Sequence, residues 1–221
     1  MRQRSVAARV LSVLDVVERA SGALQVTQIA ERTGLPVATA WRMVRELTEW
    51  GGLEQQPDGR YRLATRVWAI GSSAPCVRRI QRDTSRHIRD LAHTTGRTAY
   101  LSVLDQDEAL VVSLARAGHG PHDIHEGSRL RNTNSSAGVL FQAFDGPGTD
   151  ADPVRDAHVS VHRDIMGRSS MSAAISNQAG AVVASLTLAS GNGEPWHRFR
   201  PALIDAARMV RFSIYRDELF A

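Results

Sequence analysis

The chain has 221 residues, 43% of them hydrophobic, a net charge of +4, and arginine at every one of its 27 basic positions. That length fits one large domain or two small ones. No apolar run approaches the ~20 residues a membrane span needs, and the single cysteine, Cys76, excludes an intrachain disulfide framework and gives no support to a cysteine-based zinc site. Met1–Ser5 leads into an amphipathic pattern rather than a signal-peptide core, so the expected location is the cytoplasm, with no membrane partner. The positive charge permits nucleic acid without proving it, because the arginines are spread along the whole chain as GC-rich coding would spread them.

Residues 5–20 place Val6, Val10, Leu14 and Val17 at helical spacing, with Leu11, Val13 and Val16 widening the stripe. Ser21-Gly22 ends this helix, and Leu24 and Val26 form a short extended piece. Thr27 is expected to cap a second helix that Gly34 ends. Pro36 opens a third, over 36–50, with Ala40, Val44 and Leu47 facing inward and Gly51-Gly52 as its stop. Leu53 begins a strand, Pro57-Asp58-Gly59 signals a turn, and Tyr61 and Leu63 alternate on a return strand. Three helices followed by a two-stranded wing make a winged helix-turn-helix, expected over 1–65.

Residues 66–95 read as linker helices broken at Ser72–Pro75, the second one amphipathic through Val77, Ile80, Ile88 and Leu91. From 96 to 221 the period changes. Thr98–Leu104 and Ala109–Ala117, around the turn Asp105–Glu108, predict a hairpin, and His122–Glu126 a further strand. Asn134–Phe144 predicts a helix with Asn132 or Thr133 as N-cap, and 146–156 a Gly/Pro/Asp-rich loop. Ser169–Ser176 and Ala181–Ala189 predict a second hairpin. Pro195–Phe220 predicts a closing helix striped by Phe199, Leu203, Ala206, Val210 and Ile214. The fold class is therefore α+β, with helices flanking a mostly antiparallel sheet in a sensor-like second domain.

In a helix-turn-helix, the N-terminal residues of the second helix reach base edges in the major groove. Here that helix offers Thr39, Trp41, Arg42 and Arg45, with Gln28, Pro36 and the wing-tip Arg60 completing the DNA-facing set. Arg42 suits a guanine edge or a phosphate, and Arg45 a phosphate. Trp41 suits packing against the wing or a neighbouring helix better than a base contact. Glu46 and Glu49 are expected to face away from the duplex, since a carboxylate beside phosphates is unfavourable. Arg2 and Arg4 fit either a backbone-tracking arm or a plain tail.

The stretches Ala8–Ala20, Val26–Gly71 and Thr95–Ala117 resemble the isocitrate lyase regulator (IclR) family of bacterial transcription factors, and Arg129–Phe144 and Ser169–Gly191 resemble it more loosely. The resemblance implies a homodimer or tetramer on double-stranded DNA at a near-palindromic operator, and a GAF-like C-terminal domain binding a small-molecule effector. Carried over by position, the effector pocket would include Ser136, Ala137, Ser170 and Thr187, with Asp164 near a position where the family often has an acid. Departures are Val37 and Ala38, where a basic residue and a serine are frequent, and Ser170, where a cysteine is. Asp145–Gly167 also replaces a longer helical insert, which implies an open or altered sensor. An effector-independent regulator or a protein-interaction module stays open as the alternative.

Other chemistry is weakly signalled. His119, His122 and His125 recur with Asp123 and Glu126, but Gly118, Gly120 and Pro121 keep the imidazoles off one helical face, so exposed or packing histidines are expected rather than a metal. Ser135 and Ser136 lack the strand–Gly-x-Ser-x-Gly–helix setting of a nucleophile. With no lysine, a Walker loop is impossible. Neither an enzyme nor a resident cofactor is expected.

Overall fold

The computed structural model describes residues 5–20, 22–73, 75–118, 123–131, 135–145, 154, 158–163, 168–191 and 194–215. The chain divides into two compact units, Met1–Pro75 and Cys76–Ala221. The segment 66–95 is split between them, with Ile88, Leu91 and Ala92 inside the core of the second. No helix among the described residues is long and apolar enough to cross a membrane.

The first unit opens with α1 (Val6–Glu18), whose end is capped by Ser5 Oγ accepting from Ala8 N at 3.1 Å. Helix α2 is Val26–Thr33 and α3 is Val37–Trp50. Each stops at a glycine in the left-handed region, Gly34 at φ 69° and Gly51 at φ 82°, where a side chain would be strained. Strands β1 (Leu53–Gln55) and β2 (Tyr61–Leu63) pair antiparallel with Leu53 opposite Leu63. Leu24 adds a backbone bridge to Tyr61, its N–H donating at 2.9 Å and its carbonyl accepting at 2.7 Å. Helix α4 (Thr65–Ser72) follows.

Val13, Val17, Leu24, Ile29, Met43, Val44, Leu47 and Leu53 form the core of this unit. Fully burying a side chain such as Ile29 or Leu53 contributes roughly 1.5–3 kcal/mol. Two expectations shift. On α1 the buried residues are Val13 and Val17, while Val6 is 60% and Leu11 58% exposed, because the apolar positions there outnumber those one helix face can bury. On α2 the chain turns helical two residues early: Gln25, not Thr27, precedes the first turn, and its N–H donates to Gln28 Oε1 at 2.9 Å.

The second unit comprises α5 (Pro75–Thr95), β3 (Thr98–Asp105), β4 (Glu108–Ala115), β5 (Arg129–Arg131), α6 (Ser136–Asp145), β6 (Val159–Arg163), β7 (Ser169–Ser176), β8 (Val182–Ser190), a 3-10 turn (Trp196–Arg198) and α7 (Arg200–Tyr215). The strands build one antiparallel sheet in the order β5-β4-β3-β8-β7-β6. Strand periodicity sorts its two faces. Ala99, Leu101, Met171, Ala173, Ile175, Ala184, Leu186 and Leu188 pack with Ile88 and Leu91 of α5 and Leu203, Ala207 and Val210 of α7. The alternate residues, Tyr100, Ser102, Ser170, Ser172, Ser185 and Thr187, carry hydroxyls and are buried too. Helix α6 packs against β6, β7 and β8.

Three local readings change in this unit. Asp123–Ser128 is a turn and not a strand; Gly127 N–H donates to Val111 O at 2.8 Å, and the strand proper is β5. Ser135 caps α6, its hydroxyl accepting from Gly138 N at 3.0 Å; Asn132 and Thr133 lie outside the described residues. Strand β6 lies beyond the loop expected over 146–156, in a stretch for which no element is predicted; its short apolar signal, Val159 and Val161, is diluted by its Pro/Gly/Asp-rich surroundings. Much of the rest of Asp145–Gly167, the place of the expected abbreviation, falls outside the described residues.

Candidate functional sites

In the first unit the candidate surface is the outer side of α3. Ala40, Met43, Val44 and Leu47 are buried, which fixes the helix rotation and turns Trp41, Arg42 and Arg45 to solvent. Trp41 is 49% exposed, so its indole neither fills the core nor is sealed against the wing. Arg42 is exposed. Arg45 is occupied: its Nε donates to Glu49 Oε1 at 2.8 Å and its guanidinium lies 5.7 Å from the Trp41 ring centroid. The Glu49 carboxylate raises the Arg45 pKa, so the guanidinium stays charged.

Glu49 thus lies on the Arg45 side of α3. Positions four apart sit nearly above one another on a helix, so the acid shares a stripe with Arg45. It lies roughly 15 Å along the axis from Thr39, at ~1.5 Å per residue. A helix docked by its N-terminal end keeps this acid away from the phosphates.

Pro36 precedes the first turn of α3, and its carbonyl accepts from Thr39 N at 2.8 Å, with Thr39 half-buried. Val37 is 54% exposed and apolar, so the end of α3 presents methyl groups rather than donors. Gln28 is exposed, but its carboxamide oxygen is engaged by Gln25 N. Arg60 stands on the wing, exposed, with Nε 3.5 Å from Asp58 Oδ2 and its N–H donating to Asp58 Oδ1 at 3.1 Å. Arg62 pairs with Glu54, and Arg66 covers the Trp50 ring at 4.9 Å.

In the second unit the candidate site is a recess of ≈ 100 Å³ that opens to solvent. Ile124, Leu130 and Ala189 give it apolar walls, Tyr100, Ser135, Ser169, Ser170 and Ser190 contribute hydroxyls, and His162 flanks it. Asp123 and Arg168 also line it, Arg168 Nη1 donating to Asp123 Oδ2 at 2.7 Å.

Behind the recess runs a continuous chain of hydroxyls. The Tyr100 phenol hydrogen-bonds Thr187. Thr187 Oγ1 is 2.7 Å from Ser172 Oγ, which is 2.7 Å from Ser136 Oγ, which donates to Ser170 Oγ at 2.8 Å. Ser160 Oγ closes the set by donating to Ser136 O at 2.5 Å. Thr187, Ser172 and Ser136 are wholly buried, whereas both ends, Tyr100 and Ser170, reach the recess. Burial pushes the Tyr100 pKa well above the ordinary phenol range, partly offset by the Thr187 bond, so the phenol stays neutral.

Of the expected effector residues, the structure brings Ser136, Ser170 and Thr187 into one network, but only Ser170 lines the recess. Ala137 is buried with Ala109 and Phe141 in an apolar cluster, and Asp164 lies outside the described residues. Sequence reasoning missed Tyr100, Asp123, Ser172 and Arg168. A signal was present for Ser172: Ser170 and Ser172 alternate with apolar neighbours, as Ser185 and Thr187 do on the partner strand. Among the described residues no group of three or more His, Cys, Asp or Glu is placed to hold a metal; His119 and His122 lie outside them. His125 Nδ1 is 2.9 Å from Glu126 O.

Comparison with known proteins agrees with this architecture. Residues 6–57 match the IclR helix-turn-helix domain. The chain is 33% identical over 141 residues to the glycerol operon regulatory protein of Streptomyces griseus, covering 63% of this chain and 54% of that protein. It is 26% identical over 139 residues to the transcriptional repressor IclR of Escherichia coli strain K12, covering 61% and 51%. The chain thus spans about half the length of the curated relatives it matches. An IclR homologue from Microbacterium hydrocarbonoxydans, solved with 4-hydroxybenzoate, superposes with a TM-score of 0.81 at 22% identity over 96% of this chain and 100% of that one. An IclR transcriptional regulator from Alicyclobacillus acidocaldarius gives 0.78 at 21% identity over 96% and 99%.

Proposed function

We propose that this chain, which belongs to the IclR family, is a sequence-specific DNA-binding transcription regulator, working as a repressor in the cytoplasm, whose operator affinity a small organic effector modulates. The observation that carries this reading is the complete helix-turn-helix and wing of residues 6–63, with Trp41 and Arg42 displayed on the outer side of α3. The N-terminal half of α3 enters the major groove, where Trp41 and Arg42 meet base edges and Thr39 a thymine methyl or a phosphate. Arg45 leaves Glu49 for a phosphate, a low-cost exchange because both side chains are more than half exposed. Arg60 reaches the backbone or minor groove from the wing, and Gln28 and Pro36 border the phosphates flanking α3.

Two such heads in a homodimer read a near-palindromic operator, their α3 helices separated by one helical turn, roughly 34–36 Å, or a multiple of it. The recess of the second unit is the effector site. A ligand that binds one arrangement of the dimer better than another shifts operator affinity by that difference. The recess's hydroxyl-rich lining and its single described arginine suit a small organic acid, in keeping with the 4-hydroxybenzoate held by the Microbacterium protein.

Selection of DNA from a random pool by the full-length protein tests the reading. The expected result is one enriched palindrome whose affinity falls steeply with salt. An unenriched pool overturns it in favour of a protein-interaction module. An operator affinity unmoved by any small acid favours an effector-independent regulator.

A further inference from the structure

Arg168 and Asp123 both line the recess and are bonded to each other. Among the described lining residues Arg168 is the one permanent cation and Asp123 the one carboxylate, and Arg168 Nη1 donates to Asp123 Oδ2 at 2.7 Å. Their side chains are 48% and 64% exposed. A pair this solvated holds its partners together by less than about a factor of five. The apolar Ile124 and Leu130 and the hydroxyl-bearing Tyr100, Ser135 and Ser170 line the same recess.

We infer that Arg168 is the anion anchor of the recess, that Asp123 is its internal stand-in ligand, and that the molecules the recess selects are monocarboxylates with a compact apolar body. This rests on the reading of the recess as the effector site. The argument is one of matched exchange. An entering carboxylate can accept from Arg168 Nη1 as Asp123 Oδ2 does, so that bond is replaced rather than lost in the bound state. Its apolar body lies along Ile124 and Leu130, which Asp123 cannot do, and that contact tips the exchange. A neutral isostere has to leave the Arg168–Asp123 pair in place or break it without replacement, so it is rejected. The displaced Asp123 belongs to the turn 123–128, which is tied to β4 through Gly127 N and Val111 O. Ligand entry therefore acts on the edge of the sheet as well as on the recess.

The test is calorimetric titration of the full-length protein with benzoate against benzamide and pentanoate against pentanamide, in wild type, Arg168→Gln, Arg168→Lys and Asp123→Asn. Wild type is expected to prefer each acid over its amide. Arg168→Gln should lose about tenfold in acid affinity with the amides unchanged, and Arg168→Lys should recover part of it. Asp123→Asn should bind acids about threefold more tightly, since the internal competitor is gone. General damage to the fold does not produce a gain, so this variant keeps the test discriminating. Acids bound equally by wild type and Arg168→Gln overturn the role of Arg168 and leave the recess reading intact. Acids and amides that bind neither wild type nor Asp123→Asn overturn both.

Discussion

Ser136 Oγ lies 2.7 Å from Ser172 Oγ, which ties the first residue of α6 to the middle of β7 across 36 positions of sequence. Both side chains are wholly buried, so each hydroxyl depends on the other and on the next link, Thr187, for its hydrogen bonds. A buried hydroxyl left without a partner costs more than an ordinary hydrogen bond contributes.

Ser172→Ala removes the link shared by Ser136 and Thr187. It should destabilise the protein by about 1–3 kcal/mol. Urea unfolding reads this directly. An unchanged midpoint would mean that the buried hydroxyls on either side find other partners.

Arg42 and Glu49 should move DNA binding in opposite directions. Arg42→Ala should weaken operator binding by about 1–3 kcal/mol. Glu49→Gln frees Arg45 from its 2.8 Å partner and should strengthen binding severalfold, with a salt slope steeper by about one phosphate contact. Fluorescence anisotropy across a salt series measures both quantities, and wild-type affinity in Arg42→Ala would remove Arg42 from the interface.

Gly118 sits at φ 59°, and a Cβ added there would lie 2.5 Å from the Gly96 carbonyl oxygen. Backbone cannot swing aside as a flexible side chain does. Gly118→Ala should cost at least about 1–3 kcal/mol, seen as a lowered thermal midpoint.

The Glu194 carboxyl is held below its ordinary pKa chiefly by the Arg97 guanidinium, 2.8 Å away, with Ser190 assisting and partial burial opposing. A depressed carboxylate contributes stability that is fully present above its unfolded pKa, about 4.3, and is lost as pH falls through the lower folded value. Glu194→Gln should therefore flatten the pH dependence of stability below about pH 4.5. Denaturant midpoints of both proteins from pH 3 to pH 7 test this; parallel curves would show that the pair carries no linkage.

How much was legible from sequence depended on the distance over which each feature is set. The first unit was readable because its signals are local. Gly34 and Gly51 stop α2 and α3 at residues whose positive φ only glycine takes easily, and Pro57-Asp58-Gly59 marks the turn of the wing. The inward face of α3 followed from Ala40, Val44 and Leu47 at helical spacing. Local pattern was less reliable on α1, where seven apolar residues compete for one face and only the packing of α2 and α3 selects Val13 and Val17.

Local pattern alone was enough for the helix–turn–helix–wing order, both hairpins of the second unit and the outward placing of Arg42, because periodicity, caps and turns act within a few residues of chain. Packing across the fold was needed to establish that Trp41 stays exposed, that Glu49 holds Arg45, that Gln28 serves the start of α2, and that β6 forms the sheet edge. It alone gathered Tyr100, Ser136, Ser170, Ser172 and Thr187 from β3, α6, β7 and β8 into one chain of hydroxyls, and set Arg168 against Asp123. No local rule encodes those meetings, since they depend on sheet register and on the seat of α6, which burial of the whole domain fixes together.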